Sequence, residues 1–151
     1  MLPAKLFAAL AALFAILAGL ARVVPSPGID LYVHATYFVL GPMLVLLFCV
    51  VSSANFAVLY YAANRILNVR WNRTLSLLHF SLFLCFAFSF SMLFALAARG
   101  ANGTLPGRGM DWIIVLSGFL GIFSLVAGFV VFAINLTTAI VQLLRARTVS
   151  R

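Results

Sequence analysis

The sequence predicts an all-α integral membrane protein, a single domain built as a bundle of four transmembrane helices. Of its 151 residues, 66% are hydrophobic and only 8% are charged, and the mean hydropathy is +1.21. A soluble globular domain has about a quarter of its residues charged, so lipid must be the main solvent of this chain. Lipid cannot satisfy the backbone groups of an open sheet, which leaves helices as the spanning elements.

Clusters of charged residues divide the chain into four apolar segments, each long enough for the ~20 residues that cross a bilayer. The four predicted helices cover about residues 5–24, 33–63, 74–98 and 112–144. Turn residues mark two of the connections, "RVVPSPGID" (22–30) and "ARGANGTLPGRGMDW" (98–112). Helices joined by such short connections are expected to pack as antiparallel neighbours.

The distribution of positive charge predicts the orientation. Lys5 and six arginines belong to the N-terminal segment, the 65–73 connection and the C-terminal segment, whereas the other side has three arginines and both aspartates. The positive-inside rule places both termini in the cytoplasm. We expect a multi-pass protein of a bacterial inner membrane. The net charge of +8 follows from this topology, and without a soluble basic face no nucleic-acid partner is predicted.

The first segment has an alternative interpretation. "KLFAALAALFAILAGLA" has the basic start and small-residue end of a signal peptide. Its apolar run is long for such a peptide, so we favour a retained helix.

Residues for catalysis or metal binding are scarce. The two acids, Asp30 and Asp111, both fall in connections on the same side. Cys49 and Cys85 form no CxxC pair, and a metal site needs at least three converging ligands. We therefore predict no catalytic residue, no metal site and no cofactor, and we expect the protein not to be an enzyme.

Four amide side chains in or near the helices leave two interpretations open. They could contact a substrate, but such amides more often join helices by hydrogen bonds, and we favour that role. The four are Asn55, Asn64, Asn135 and Gln142.

Three motifs resemble a known family. "LFAILAGLARVVPSPGIDLYVHATYFVLGP" resembles the end of the ninth and the start of the tenth transmembrane helices of haem–copper oxidase subunit I, with Gly19, Asp30 and "HATYF" (34–38) at matching places. "LLHFSLFL" (77–84) resembles the start of the eleventh helix, and "LPGRGMDW" (105–112) resembles the loop before the twelfth. The resemblance implies a bundle like these C-terminal helices, with both loops on the outer side.

The haem ligands of that family are replaced here. Counting from the "HATYF" motif, the two haem-ligating histidines of the tenth helix correspond to Pro42 and Leu44, with Met43 between them. Neither side chain can bind iron, so the resemblance implies a protein without haem. Pro42 follows Gly41 and predicts a kink in the second helix, because proline removes a backbone hydrogen bond.

Two other family sites are half retained. His34 matches the family's magnesium-ligating histidine, but Ala35 stands where the neighbouring acid would be. Arg108 matches one of two arginines that hold haem propionates, and Gly107 replaces the other. We interpret both as inherited architecture without a ligand.

The favoured functional hypothesis is a non-catalytic accessory subunit that packs against other integral membrane subunits and lipid in a larger complex, such as a respiratory oxidase. The alternative is a small carrier or assembly protein for quinone or copper, because soft ligands could converge between the second and third helices. These ligands are Met43, Cys49, Cys85 and Met92. A third hypothesis, a haem protein that uses His34 or His79, is the least favoured.

Overall fold

The computed structural model describes residues 2–23, 29–33, 36–40, 42–101 and 111–149. In chain order the elements are α1 Leu2–Val23, β1 Ile29–Val33, β2 Thr36–Leu40, α2 Pro42–Ile66, α3 Arg73–Ala101 and α4 Asp111–Val149. Each helix contains a segment long and apolar enough to cross a membrane. The four helices confirm the predicted membrane bundle.

A β-hairpin occupies part of the segment predicted as the second helix. Strands β1 and β2 pair antiparallel, with Val33 opposite Thr36 and Ile29 opposite Leu40. The prediction that the second helix begins near residue 33 is therefore wrong, as is the predicted kink at Pro42, because α2 begins at Pro42. Proline is favoured at the first helical position, where no backbone N–H is required, and the β-branched and aromatic residues before it favour strands.

The helices pack mainly as two sequential pairs, α1 with α2 and α3 with α4, and α3 also contacts both α1 and α2. Small residues on α4 allow the close approach of α3. A side chain at Gly121 would start 2.8 Å from the Phe90 ring, and one at Gly128 would start 3.6 Å from the His79 ring. The backbone of α4 at Gly121 thus lies close to Phe90, and at Gly128 close to His79. These two close approaches match an antiparallel register of α3 and α4.

The segment 67–72, here called the link, joins the two helical pairs. The backbone N–H groups of Leu67 and Val69 both donate to the carbonyl of Ala63, at 3.2 and 3.3 Å. Asn68 between them has a φ of 52°, a left-handed conformation that asparagine tolerates better than most residues. At the other end of the link, Asn72 Oδ1 accepts the backbone N–H of Thr74 at 2.9 Å and caps α3.

Helix α4 is longer than the membrane requires. Its 39 residues span roughly 58 Å at 1.5 Å per residue, against about 30 Å of hydrocarbon. Asn135 contacts Ser76 in the first turn of α3, so the residues after Asn135 extend past the start of α3. The link packs beside this extension, and Val69 and Ala139 are both almost fully buried.

Candidate functional site

The half of the bundle next to the link contains a largely buried group of rings to which all four helices contribute, here called the aromatic cluster. Its members are Phe7 from α1, Phe56 and Tyr60 from α2, Trp71 from the link, His79 and Phe83 from α3, and Phe132 from α4. The neighbouring ring centroids lie within the 4.5–7 Å range of favourable aromatic pairs or just below it. The cluster fixes the two helical pairs against each other.

Phe7 is the central ring of this cluster and is fully buried. Its centroid lies 4.9 Å from that of His79, 5.3 Å from that of Phe56 and 5.8 Å from that of Tyr60. One side chain of α1 therefore contacts both α2 and α3. The buried positions of α1 recur every three or four residues, the spacing of one helical face, and include Ala4, Phe7, Leu10, Phe14 and Ala18.

His79 and Tyr60 are buried polar members of this cluster. A hydrogen bond of 3.1 Å joins Tyr60 Oη and His79 Nδ1. Among the described residues, no group of three histidine, cysteine or acidic side chains surrounds a common point, and no buried side-chain nitrogen or oxygen lacks a partner. The geometry is that of a structural hydrogen bond inside an apolar bundle.

A second polar network connects the link to α4. Asn135 Nδ2 donates to Ser76 Oγ at 2.9 Å, and the backbone N–H of Asn72 donates to Asn135 Oδ1 at 3.1 Å. Ser76 Oγ in turn donates to the carbonyl of Asn72 at 2.9 Å. Asn135 is completely buried. It joins α4, α3 and the link, which is the interhelical role predicted for it.

The other three amides have different surroundings. Asn64 is half-buried on α2, while Gln142 is exposed on the extension of α4. Asn55 is exposed, although it lies at the midpoint of the apolar span Met43–Ile66. Unlike Asn135, Asn55 therefore presents its amide on the outer surface of the bundle.

The side chains predicted as soft metal ligands differ in their burial. Cys49 is buried in the core, and Cys85 is partly buried. Met43 and Met92 are both exposed, on α2 and α3 respectively. The carrier hypothesis for copper gains no specific support from these positions.

The positions taken from the oxidase resemblance are only partly described. Pro42 is the first residue of α2, and Leu44 is exposed. His34 and Arg108, like Ala35 and Gly107, lie outside the described residues.

An apolar groove of about 590 Å³ lies between α2, α3 and α4. Leu44 is on its wall, so one of the two positions that the sequence resemblance aligns with haem ligands faces this groove. The lining is almost entirely apolar and includes Phe48, Val51, Phe86, Phe90 and Leu125.

Comparison with known proteins gives no relative. No protein-family model, no curated protein and no solved structure matches the chain. The likeness to haem–copper oxidase subunit I therefore stays a prediction from the three sequence motifs.

Sequence reasoning missed most of the aromatic cluster. Phe7, Tyr60 and Trp71 lie in apolar stretches or beside charged residues, and their types alone do not distinguish a core position from a lipid-facing one. The helical spacing of large residues in α1 was the available signal for Phe7.

Proposed function

We propose that the protein is a non-catalytic accessory subunit of a larger energy-transducing membrane complex, a respiratory oxidase or another cofactor-containing assembly. The observation that carries this proposal is the exposed amide of Asn55 at the middle of α2. Half of the bilayer thickness separates this position from water on either side.

An amide facing hydrocarbon at this depth is unfavourable, because lipid offers no hydrogen-bond partner. Polar side chains within transmembrane segments normally face another helix, where they form interhelical hydrogen bonds worth about 0.6–2 kcal/mol. In the isolated chain Asn55 faces outward. A helix of a neighbouring subunit supplies the partner that the bundle itself does not provide.

The surface around Asn55 is suited to helix packing. Val51, Val58 and Leu59 lie one turn away on the same face, and all three are largely exposed. Val51 also lines the apolar groove, so the face and the groove form one continuous surface. Large side chains of a partner helix would fill the groove, and a polar side chain of the same helix would form a hydrogen bond with Asn55.

The nature of the complex is proposed from the sequence. The motifs at 13–42, 77–84 and 105–112 resemble a respiratory oxidase subunit, and by this resemblance Pro42 and Leu44 stand in place of its haem-binding histidines. A scaffold of this kind would pack beside a catalytic subunit without holding haem. The proposed location is a bacterial inner membrane with both termini in the cytoplasm, and the arginine distribution supports this orientation.

The proposal is tested by extracting membranes in a mild detergent and separating the complexes on a native gel. We expect the wild-type chain to migrate with other subunits, well above its own 16.4 kDa. The variant Asn55→Leu, which removes the amide, is expected to lower the association constant, measured as the ratio of assembled to free chain, by about three-fold to ten-fold, the range that roughly 0.6–1.4 kcal/mol represents. Because Asn55 is exposed, the melting temperature of the purified variant should equal that of the wild type.

Thr137→Val is the matched control, since Thr137 is an exposed polar residue on α4 away from the proposed contact. It should leave the complex intact, and Asn55→Gln should retain part of the assembly because it keeps an amide. A wild-type chain that migrates alone would contradict the proposal. So would an Asn55→Leu variant that assembles as well as the wild type.

A further inference from the structure

A second pocket lies at one end of the bundle, where the link meets the extension of α4. Its volume is about 390 Å³, and its wall combines polar and apolar side chains. Asn68, Val69 and Arg70 come from the link, and Ala139, Gln142 and Leu143 come from α4. The pocket exists because α4 continues past the first turn of α3 and gives the link a surface to pack on.

The polar side chains of this pocket are suited to an anion. Arg70 supplies a guanidinium group, and the amides of Asn68 and Gln142 can each donate hydrogen bonds. An arginine fork matches the geometry of phosphate oxygens. All three side chains are exposed, so a ligand can reach them without rearrangement of the core.

The charges around the pocket have one sign. Lys5, Arg65, Arg73 and Arg145 belong to the same end of the bundle as Arg70. The only acids of the sequence are Asp30 and Asp111. Asp111 begins α4, roughly 45 Å along the helix from Gln142, and Asp30 lies in β1 before the start of α2. Among the described segments, no acidic residue therefore belongs to the same end of the bundle as Arg70.

Exposed apolar side chains also lie beside the same pocket. Ile66 and Leu67 precede the pocket residues of the link and are 76% and 44% exposed. On α4, Ile140 and Leu144 are also exposed. The link lies between the spans Met43–Ile66 and Arg73–Leu96, so the pocket is at the boundary between hydrocarbon and water.

We propose that this pocket binds the phosphate headgroup of an anionic phospholipid, with the acyl chains along the exposed apolar residues of α2 and α4. Arg70 pairs with the phosphate, and Gln142 and Asn68 donate hydrogen bonds to the phosphate or glycerol oxygens. Phosphate alone would use only the polar half of the site. The apolar flank selects a lipid over a free phosphate ester, since acyl contacts add to the affinity.

The test is native mass spectrometry of the full-length protein in mild detergent, titrated separately with palmitoyl-oleoyl phosphatidylglycerol and palmitoyl-oleoyl phosphatidylcholine. We expect the wild type to bind phosphatidylglycerol at least five-fold more tightly. Arg70→Gln should lower this affinity about five-fold, in line with the loss of one exposed arginine–phosphate ion pair. It should lower phosphatidylcholine affinity less, because the choline cation of that lipid offsets the charge of its phosphate. Gln142→Leu, which keeps every charge, should lower phosphatidylglycerol affinity about two-fold to three-fold.

Lys5→Gln separates a defined site from diffuse attraction, because Lys5 is a cation of the same end but does not line the pocket. It should change phosphatidylglycerol affinity less than two-fold. Glycerol 3-phosphate at the same concentration as the lipid should not compete. Equal affinity for the two lipids, an equal loss in Lys5→Gln and Arg70→Gln, or full competition by glycerol 3-phosphate would each overturn the proposal. Thermal unfolding of each variant verifies that it is folded, and none of these substitutions touches Asn55.

Discussion

Replacement of Phe7 by alanine is expected to lower the free energy of unfolding by about 2–3 kcal/mol, the cavity part of the roughly 3–5 kcal/mol that large aromatic truncations cost in a water-soluble core. Phe7 is fully buried and contacts rings on both α2 and α3. In lipid the loss comes mainly from packing, because transfer to hydrocarbon adds little. The truncation would remove the ring contacts that hold α1 against α2 and α3. Unfolding of the purified protein by dodecyl sulfate, followed by circular dichroism, measures the effect.

Phe88→Ala provides the matched control. Phe88 is the same residue type on α3 but is 71% exposed, so its truncation should change the free energy of unfolding by less than about 0.5 kcal/mol. If Phe7→Ala and Phe88→Ala unfold at the same detergent ratio, the aromatic cluster does not hold the helical pairs together.

The second large effect is expected for Gly121→Leu. A Cβ atom at this position would lie 2.8 Å from the Phe90 ring and 3.4 Å from Ser89 Cβ. Alanine would displace the ring, but the branched leucine side chain must also push α3 and α4 apart. Overpacking of this kind costs about 1–3 kcal/mol, measured as a lower midpoint in the same unfolding experiment.

Gly118→Leu is the control for Gly121→Leu, because a side chain at Gly118 meets no atom within 4 Å. The two glycines are one turn apart on α4 and lose the same backbone freedom on substitution. Gly118→Leu should keep or slightly raise stability, since glycine is about 0.8–1.0 kcal/mol less favourable than alanine in a helix. Equal destabilisation by both variants would show that helix packing at Gly121 is not the cause.

The membrane helices could be predicted because charge and hydropathy alone define them. Lys5, the arginines of the 65–73 connection and Asp111 bound apolar segments that no soluble fold would tolerate. The start of α2 could not be predicted in this way, because apolar composition does not distinguish a membrane helix from a strand. Pro42 was the residue that could have indicated this start, because proline is favoured at the first position of a helix.

The candidate sites were less predictable than the helices. Asn55 and Asn135 are the same residue type in similar apolar surroundings, yet one faces outward and the other is completely buried. Only the rotation of each helix in the bundle decides this difference. Asn135 forms hydrogen bonds with Ser76 and Asn72, which lie far earlier in the chain. Such tertiary pairs leave no local pattern in the sequence. The pocket around Arg70 likewise depends on how far α4 extends past α3.

The pairing of neighbouring helices affects how the chain is made in the cell. Helix α1 packs chiefly on α2, and α3 chiefly on α4, so each half can form its contacts as soon as both of its segments have left the ribosome. Chains dominated by such local contacts fold quickly. Rings of α3 already meet Phe7 and Phe56, but the union of the halves is complete only when Phe132, near the end of the sequence, reaches Phe56 and Tyr60. We therefore expect biogenesis to finish with a late docking step, after translation of α4 is nearly complete.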